Sequence, residues 1–262
     1  MKNLGIIFTL MAGAALAQDQ PDRVSVPFSD PSRPKMLKAS VLNGSIHVKG
    51  YDGKEAIVEG RGEGSRHRRD RERTDGLHQI MIGGSGLSVE ESDNVIVVGT
   101  RSLNENVELN IQVPFATSLK LSDVNGGEIS VDHITGNVEV EVTNGKATAT
   151  HISGSAVVHA LNDRVLVTLD KVSGDQPMSF SSLNGDIDVT LPADIKARVK
   201  LKSDNGSVYS DFDIQVDASS HKPVVQGKRI QFDRAMYGMI NGGGPEIQLT
   251  TFNGNIYVRK AK

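Results

Sequence analysis

The chain has no cysteine and no tryptophan, and only 4% of its 262 residues are aromatic. The first absence excludes a disulfide framework, thiolate chemistry and any cysteine-based metal site. The other two disfavour a carbohydrate cleft built on stacking platforms, with Tyr209 and Tyr257 as the exceptions to consider. An excess of one charge is missing too: 29 Lys and Arg stand against 32 Asp and Glu, a net charge of −3. That balance argues against bulk nucleic-acid binding. Nucleophile-elbow, HExxH and Walker motifs are absent.

A bilayer-spanning apolar run is also lacking. Leu4–Leu16 falls short of the ~20 residues that a transmembrane helix needs. It reads instead as the centre of a secretory signal peptide over residues 1–17. Lys2 supplies the positive start and Ala15-Leu16-Ala17 the small-x-small cleavage site. No cysteine follows that site, which argues against a lipid-anchored protein. The mature chain is expected to begin near Gln18, to have no transmembrane segment, and to reside in the periplasm or at the cell surface. Losing Lys2 takes the charge from −3 to −4, and 262 − 17 leaves 245 residues, enough for one core without staples.

What is present is a repeat. Asn-Gly followed by alternating apolar residues occurs at Asn43-Gly44, Asn125-Gly126, Asn144-Gly145, Asn184-Gly185, Asn205-Gly206 and Asn253-Gly254, with Asn162-Asp163 as a variant. Weaker turns, Thr135-Gly136, Ser153-Gly154 and Ser173-Gly174, fall between them. The turn positions 125, 135, 144, 153, 162, 173 and 184 lie 9 to 11 residues apart. Each interval holds one strand of ordinary length and a turn. Glycine after Asn or Ser is expected to supply a positive φ.

The fold is therefore all-β, and two arrangements compete. Asn-Gly turns between alternating runs can make hairpins, giving an antiparallel β-sandwich. Alternate corners, however, are chemically alike, which favours a parallel β-solenoid of stacked two-strand coils. Stacking would set Asn125, Asn144, Asn162, Asn184, Asn205 and Asn253 in a hydrogen-bonded ladder at roughly 4.8 Å spacing. The residues three and five after each Asn, such as Ile46 and Val48, Ala147 and Ala149, Val165 and Val167, Ile187 and Val189, and Ile256 and Val258, should form the inner column. Residues 18–35 read as an extension with a first strand. Residues 36–262 read as one repeat domain with insertions near 61–76 and 211–245. Gly242-Gly243-Gly244 precedes Pro245 and a strand pattern, which suits a tight connection rather than a phosphate loop.

Three constellations carry possible chemistry. Arg66, Arg68, Arg69, Arg71 and Arg73 form a basic run that could dock on an envelope polyanion, since guanidinium forks pair with phosphate and carboxylate; solvated surface is the plainer reading. His133 and His151 occupy the same repeat position and would stack, with Lys171 next in line, but no third metal ligand is evident. Asp186 and Asp188 share one strand face at about 7 Å and, with Arg164, would serve a polysaccharide-active enzyme. No cofactor or resident metal is expected.

The stretch Gly238 to Val258, with Asn241-Gly242-Gly243-Gly244-Pro245 ahead of Thr251-Phe252-Asn253-Gly254-Asn255-Ile256, resembles the closing motif of the bacterial "putative adhesin" family of exported β-strand-repeat proteins. The resemblance covers roughly residues 36–260. It implies a β-solenoid-like fold and a cell-envelope role, with some relatives associated with envelope-stress systems. It transfers no catalytic residue, and the Arg66–Arg73 run is not part of the shared motif. The expected function is a non-enzymatic envelope module that binds a polyanion, peptide or protein, with a polysaccharide-active β-helix enzyme as the alternative.

Overall fold

The computed structural model describes residues 22–63, 86–100, 106–172, 176–217, 223–226, 229–232 and 235–262, and among these there is no helix. Six strands come first: β1 (Asp22–Pro27), β2 (Lys35–Tyr51), β3 (Glu55–Glu63), β4 (Leu87–Ser92), β5 (Val95–Thr100) and β6 (Asn106–Pro114). The repeat region supplies β7 (Thr117–Ile134), β8 (Val138–Ile152), β9 (Ala156–Ala160) and β10 (Val165–Leu169). It continues with β11 (Met178–Ser182), β12 (Ile187–Leu191), β13 (Ala197–Ser203) and β14 (Val208–Ser210). The remainder is β15 (Gln215–Val216), β16 (Pro223–Gln226), β17 (Arg229–Phe232), β18 (Met236–Ile240), β19 (Glu246–Thr251) and β20 (Ile256–Lys260).

β2, β7 and β8 run unbroken through the Asn corner. Elsewhere the corner divides the strand into a pair: β9–β10, β11–β12, β13–β14 and β19–β20. Each unit is a rung with two arms, and successive rungs pair in parallel and in register. Val140 of the first arm stands between Leu121 and Val158, and Ala147 of the second between Ile129 and Val165. The alternation puts Ile46, Val48, Ala147, Ala149, Val165, Val167, Ile187, Val189, Ile256 and Val258 inside, each no more than 2% exposed. They join Leu37, Leu121, Phe180 and Leu249 of the first arm in one contiguous core. An aliphatic at every second position is what a half-buried pleated surface selects. The antiparallel alternative is not the arrangement of these central rungs.

Spatial order departs from sequence order at both ends. β2 lies between β5–β6 and β7. The β19–β20 rung lies between β11–β12 and β13–β14. Antiparallel strands then cover three outer edges: β4 on β5, β3 on β6 with β1 beyond it, and β18 on β13 with β15 beyond it. Such covering hides N–H and C=O groups that would otherwise template association.

The corner glycines are selected for a different reason than the one expected. Among them only Gly44 and Gly126 have positive φ, at 140° and 65°. At Gly127, Gly145, Gly185, Gly254 and Gly206 the constraint is close stacking. A Cβ there would collide with the carbonyl oxygens of Gly44, Gly127, Asp163, Gly185 and Gly254 respectively. Rung-to-rung approach, not turn conformation, therefore excludes a side chain. Gly126 and Gly127 divide the two tasks, since the register slips by one residue between Asn125 and Gly127.

Candidate functional site

Outward residues of the second arm line up across the rungs. One row runs Glu59, Asn110, His47, Ser130, Thr148, Leu166, Asp188, Tyr257 and Tyr209. The adjacent row begins Ile57, Gln112, Lys49, Asp132 and Thr150. Where β3, β6, β2 and β7 lie side by side, these rows line an open groove of ≈ 310 Å³ that includes His47, Lys49, Glu59, Ser130 and Asp132. His47 Nδ1 lies 2.7 Å from Ser130 Oγ. At the far end the rings of Tyr257 and Tyr209 stack at 5.2 Å, with the Arg259 guanidinium 5.2 Å from the Tyr257 centroid.

Beside the groove, β7 and β8 each carry an extra outward residue. Asp132 pairs with Thr150 and Ile134 with Ile152, so His133 and His151 stand at the same position between these pairs, and β8 has one residue more than β10 across this stretch. Both have positive φ, 58° and 54°, a conformation that His enters more readily than most residues. The two rings stack with centroids 4.3 Å apart. Each Nδ1 addresses a different oxygen of one carboxylate: His133 meets Asp132 Oδ2 at 2.8 Å and His151 meets Oδ1 at 2.9 Å. Thr150 Oγ1 also donates to Oδ1, at 3.0 Å. Burial alone would raise the Asp132 carboxyl, but the bonds from His151, His133 and Thr150 outweigh it and hold it down to about 2.

The sequence reading paired these two histidines and missed Asp132. The signal was there: two outward residues rather than one separate the buried Val131 and Ile134, and likewise Ala149 and Ile152. Lys171 does not continue the row, contrary to expectation. β10 has no matching extra residue, its Leu169 pairs with Ile152, and Lys171 lies beyond the strand end.

At the Asn corner, Asn162 donates its side-chain amide to Asn144 at 2.8 Å and Asn184 to Asn162 at 2.9 Å. Asn253 donates to Asn184 at 2.8 Å and Asn205 to Asn253 at 2.9 Å. Asn125 stands in register beside Asn144, whose amide instead reaches the Val124 carbonyl at 3.3 Å. Before four of these Asn positions stand exposed apolar residues, Val124, Leu161, Leu183 and Phe252, each 42–47% exposed, while Thr143 and Asp204 precede Asn144 and Asn205.

Asp186 and Asp188 do face outward together, and each already serves the scaffold. Asp186 Oδ1 accepts the Asn255 amide at 2.7 Å, and Asp188 Oδ1 accepts Arg259 Nε at 2.8 Å. Arg66, Arg68, Arg69, Arg71 and Arg73 lie outside the described residues, as does the expected signal peptide. No described helix is long and apolar enough to cross a membrane.

Neither a family model nor a curated protein sequence matches the chain. Among solved structures it is similar to a putative cell adhesion protein from Clostridium sporogenes, with a TM-score of 0.51 at 14% identity. That likeness covers 92% of this chain and 100% of the other, and it shows a shared fold. A weaker likeness, TM-score 0.32 at 11% identity over 93% of this chain and 98% of the other, is to a putative adhesin from Bacteroides fragilis.

Proposed function

We propose that the chain is a non-enzymatic, extracytoplasmic envelope module, a parallel β-solenoid whose outward rows bind an extended envelope polymer or a partner segment. One observation carries this reading: outward side chains of varied polarity line up in straight rows across the rungs, and the groove they line is open along its length. The row from Glu59 to Tyr209 crosses nine strands, and eight intervals of strand spacing make it roughly 38 Å long. Such a row suits an extended ligand lying across the rungs. Its Tyr257–Tyr209 end offers an aromatic face beside a guanidinium. Export follows from the leader-like residues 1–17. The fold shared with the Clostridium sporogenes protein is consistent with an adhesin-like role. The Arg66–Arg73 run adds a polyanion-binding element, because guanidinium groups attract phosphate and carboxylate polymers.

Co-sedimentation of the Gln18–Lys262 protein with isolated envelope material across a salt series tests the reading. It is run beside one variant with Gln at Arg66, Arg68, Arg69, Arg71 and Arg73, and another with Ala at Tyr209 and Tyr257. Saturable binding weakened in either variant supports the module and identifies its contact. Absence of binding to any envelope fraction at low salt overturns it.

A further inference from the structure

We infer that Asp132, His133 and His151 form a surface site for a divalent transition-metal ion of the zinc type. Their ligating atoms all lie within 4.8 Å of one another. Two imidazole nitrogens and one carboxylate oxygen are a donor set that borderline ions such as Zn2+ accept, with remaining positions left to water or an outside ligand. The rings are already aimed: both Nδ1 atoms address the same carboxylate, from its two different oxygens. Ligands about 2.1 Å from a tetrahedral ion stand roughly 3.4 Å apart. The present 2.8 and 2.9 Å contacts would thus open by about half an ångström each as the ion takes the place of the proton in each contact.

The backbone provides the second observation. β7 and β8 carry the same extra outward residue in register, His133 and His151, each with positive φ, and against β10 the extra residue of β8 is a one-residue bulge. A single extra residue would leave one imidazole beside the carboxylate; the matched pair supplies two. The device is confined to these rungs, because β10 lacks the extra residue and Gly50, on the β2 side, carries no side chain. A Cβ at Gly50 would collide with the His133 carbonyl oxygen. Thr150 Oγ1 holds the carboxylate from outside the ligand set, as outer partners of metal ligands do. The side chains of His133 and His151 are half exposed, so an ion reaches them directly from solvent.

The test uses the tag-free mature protein, with zinc chloride titrated by calorimetry and cobalt(II) read by its visible absorption. Asn replaces His in the variants because it tolerates the same positive φ without supplying an imidazole. The proposal expects one zinc ion per chain. Affinity should fall at least about tenfold in His133→Asn, His151→Asn and Asp132→Asn, and it should be unchanged in His159→Asn, a residue on the other arm. Circular dichroism and the melting temperature confirm that each variant is folded. Zinc binding that survives in the folded His133→Asn/His151→Asn double variant overturns the proposal, as does a wild-type protein that takes up no zinc.

Discussion

Asn253 donates its side-chain amide to Asn184 at 2.8 Å although 69 residues separate them in sequence. Asn205, only 21 positions after Asn184, reaches the same ladder through Asn253. The last rung is thus threaded between two earlier ones, and Asn253 is both donor and acceptor in the line of amides. Replacing Asn253 with Ala removes two bonds. At about 1 kcal/mol net for each, the expected loss is about 2 kcal/mol, reduced where water substitutes. Asn125 does not enter that line of amide-to-amide bonds, so Asn125→Ala should cost clearly less. Urea unfolding of the two variants decides; equal losses would mean that the ladder adds nothing beyond turn preference.

Gly254 sits against the Gly185 carbonyl with no space for a Cβ, and its φ is not positive. Ala at this position must push two stacked rungs apart, at a cost of about 3 kcal/mol. Gly99 is a strand glycine with nothing within 4 Å of the same hypothetical atom. Gly99→Ala should therefore be neutral or slightly stabilising, within about 0.5 kcal/mol. Chemical denaturation of both variants separates stacking from backbone entropy. A mild effect at Gly254 would refute the close-approach account of the corner glycines.

Period-two alternation was enough to place Ile46, Val48, Val165, Val167, Ile187 and Val189 inward, because burial of one face of a strand is a local property of sequence. The position of Asn253 between Asn184 and Asn205 was not readable. It depends on β19 and β20 returning after the β15–β18 excursion, and no local residue encodes that partner choice. The corner glycines were visible but misattributed, since φ is a local expectation and a clash with the next rung is not. Asp132 is not legible from strict alternation, because an extra outward residue in β7 and in β8 brings both His133 and His151 against its carboxylate.

The Asp132 carboxyl should respond to its two rings. Held at about 2 by bonds from His151, His133 and Thr150 against the effect of burial, it stabilises the fold above the unfolded value near 4. That contribution is lost as pH falls through the folded value. A carbon-detected NMR titration of Asp132 checks this directly. In a His133→Asn/His151→Asn protein its midpoint should move up toward the ordinary carboxylate range. An unmoved midpoint would assign the depression to Thr150 alone.

Asp123 presents the opposite case. It stands between Val41 and Val142 in an otherwise apolar column and is 1% exposed. Neither carboxylate oxygen has a hydrogen-bond partner of good geometry. Burial pushes its carboxyl up to about 6, with the backbone amides of Val124 and Asn125 opposing that in part. The folded state therefore holds this proton more tightly than the unfolded chain does. Below about pH 4 both states are protonated and Asp123 imposes no ionisation penalty. Between about 4 and 6 the unfolded chain ionises first, so stability falls as pH rises; above 6 the loss levels off at about 3 kcal/mol. Asp123→Val continues the column formed by its two neighbours and should remove that loss. The variant is expected to be more stable than wild type at pH 7.5, with the difference shrinking as the pH is lowered to 4.5. Urea midpoints at pH 4.5, 5.5 and 7.5 for both proteins provide the measurement. A difference that stays constant across this window would show that packing, not the buried charge, separates the two proteins.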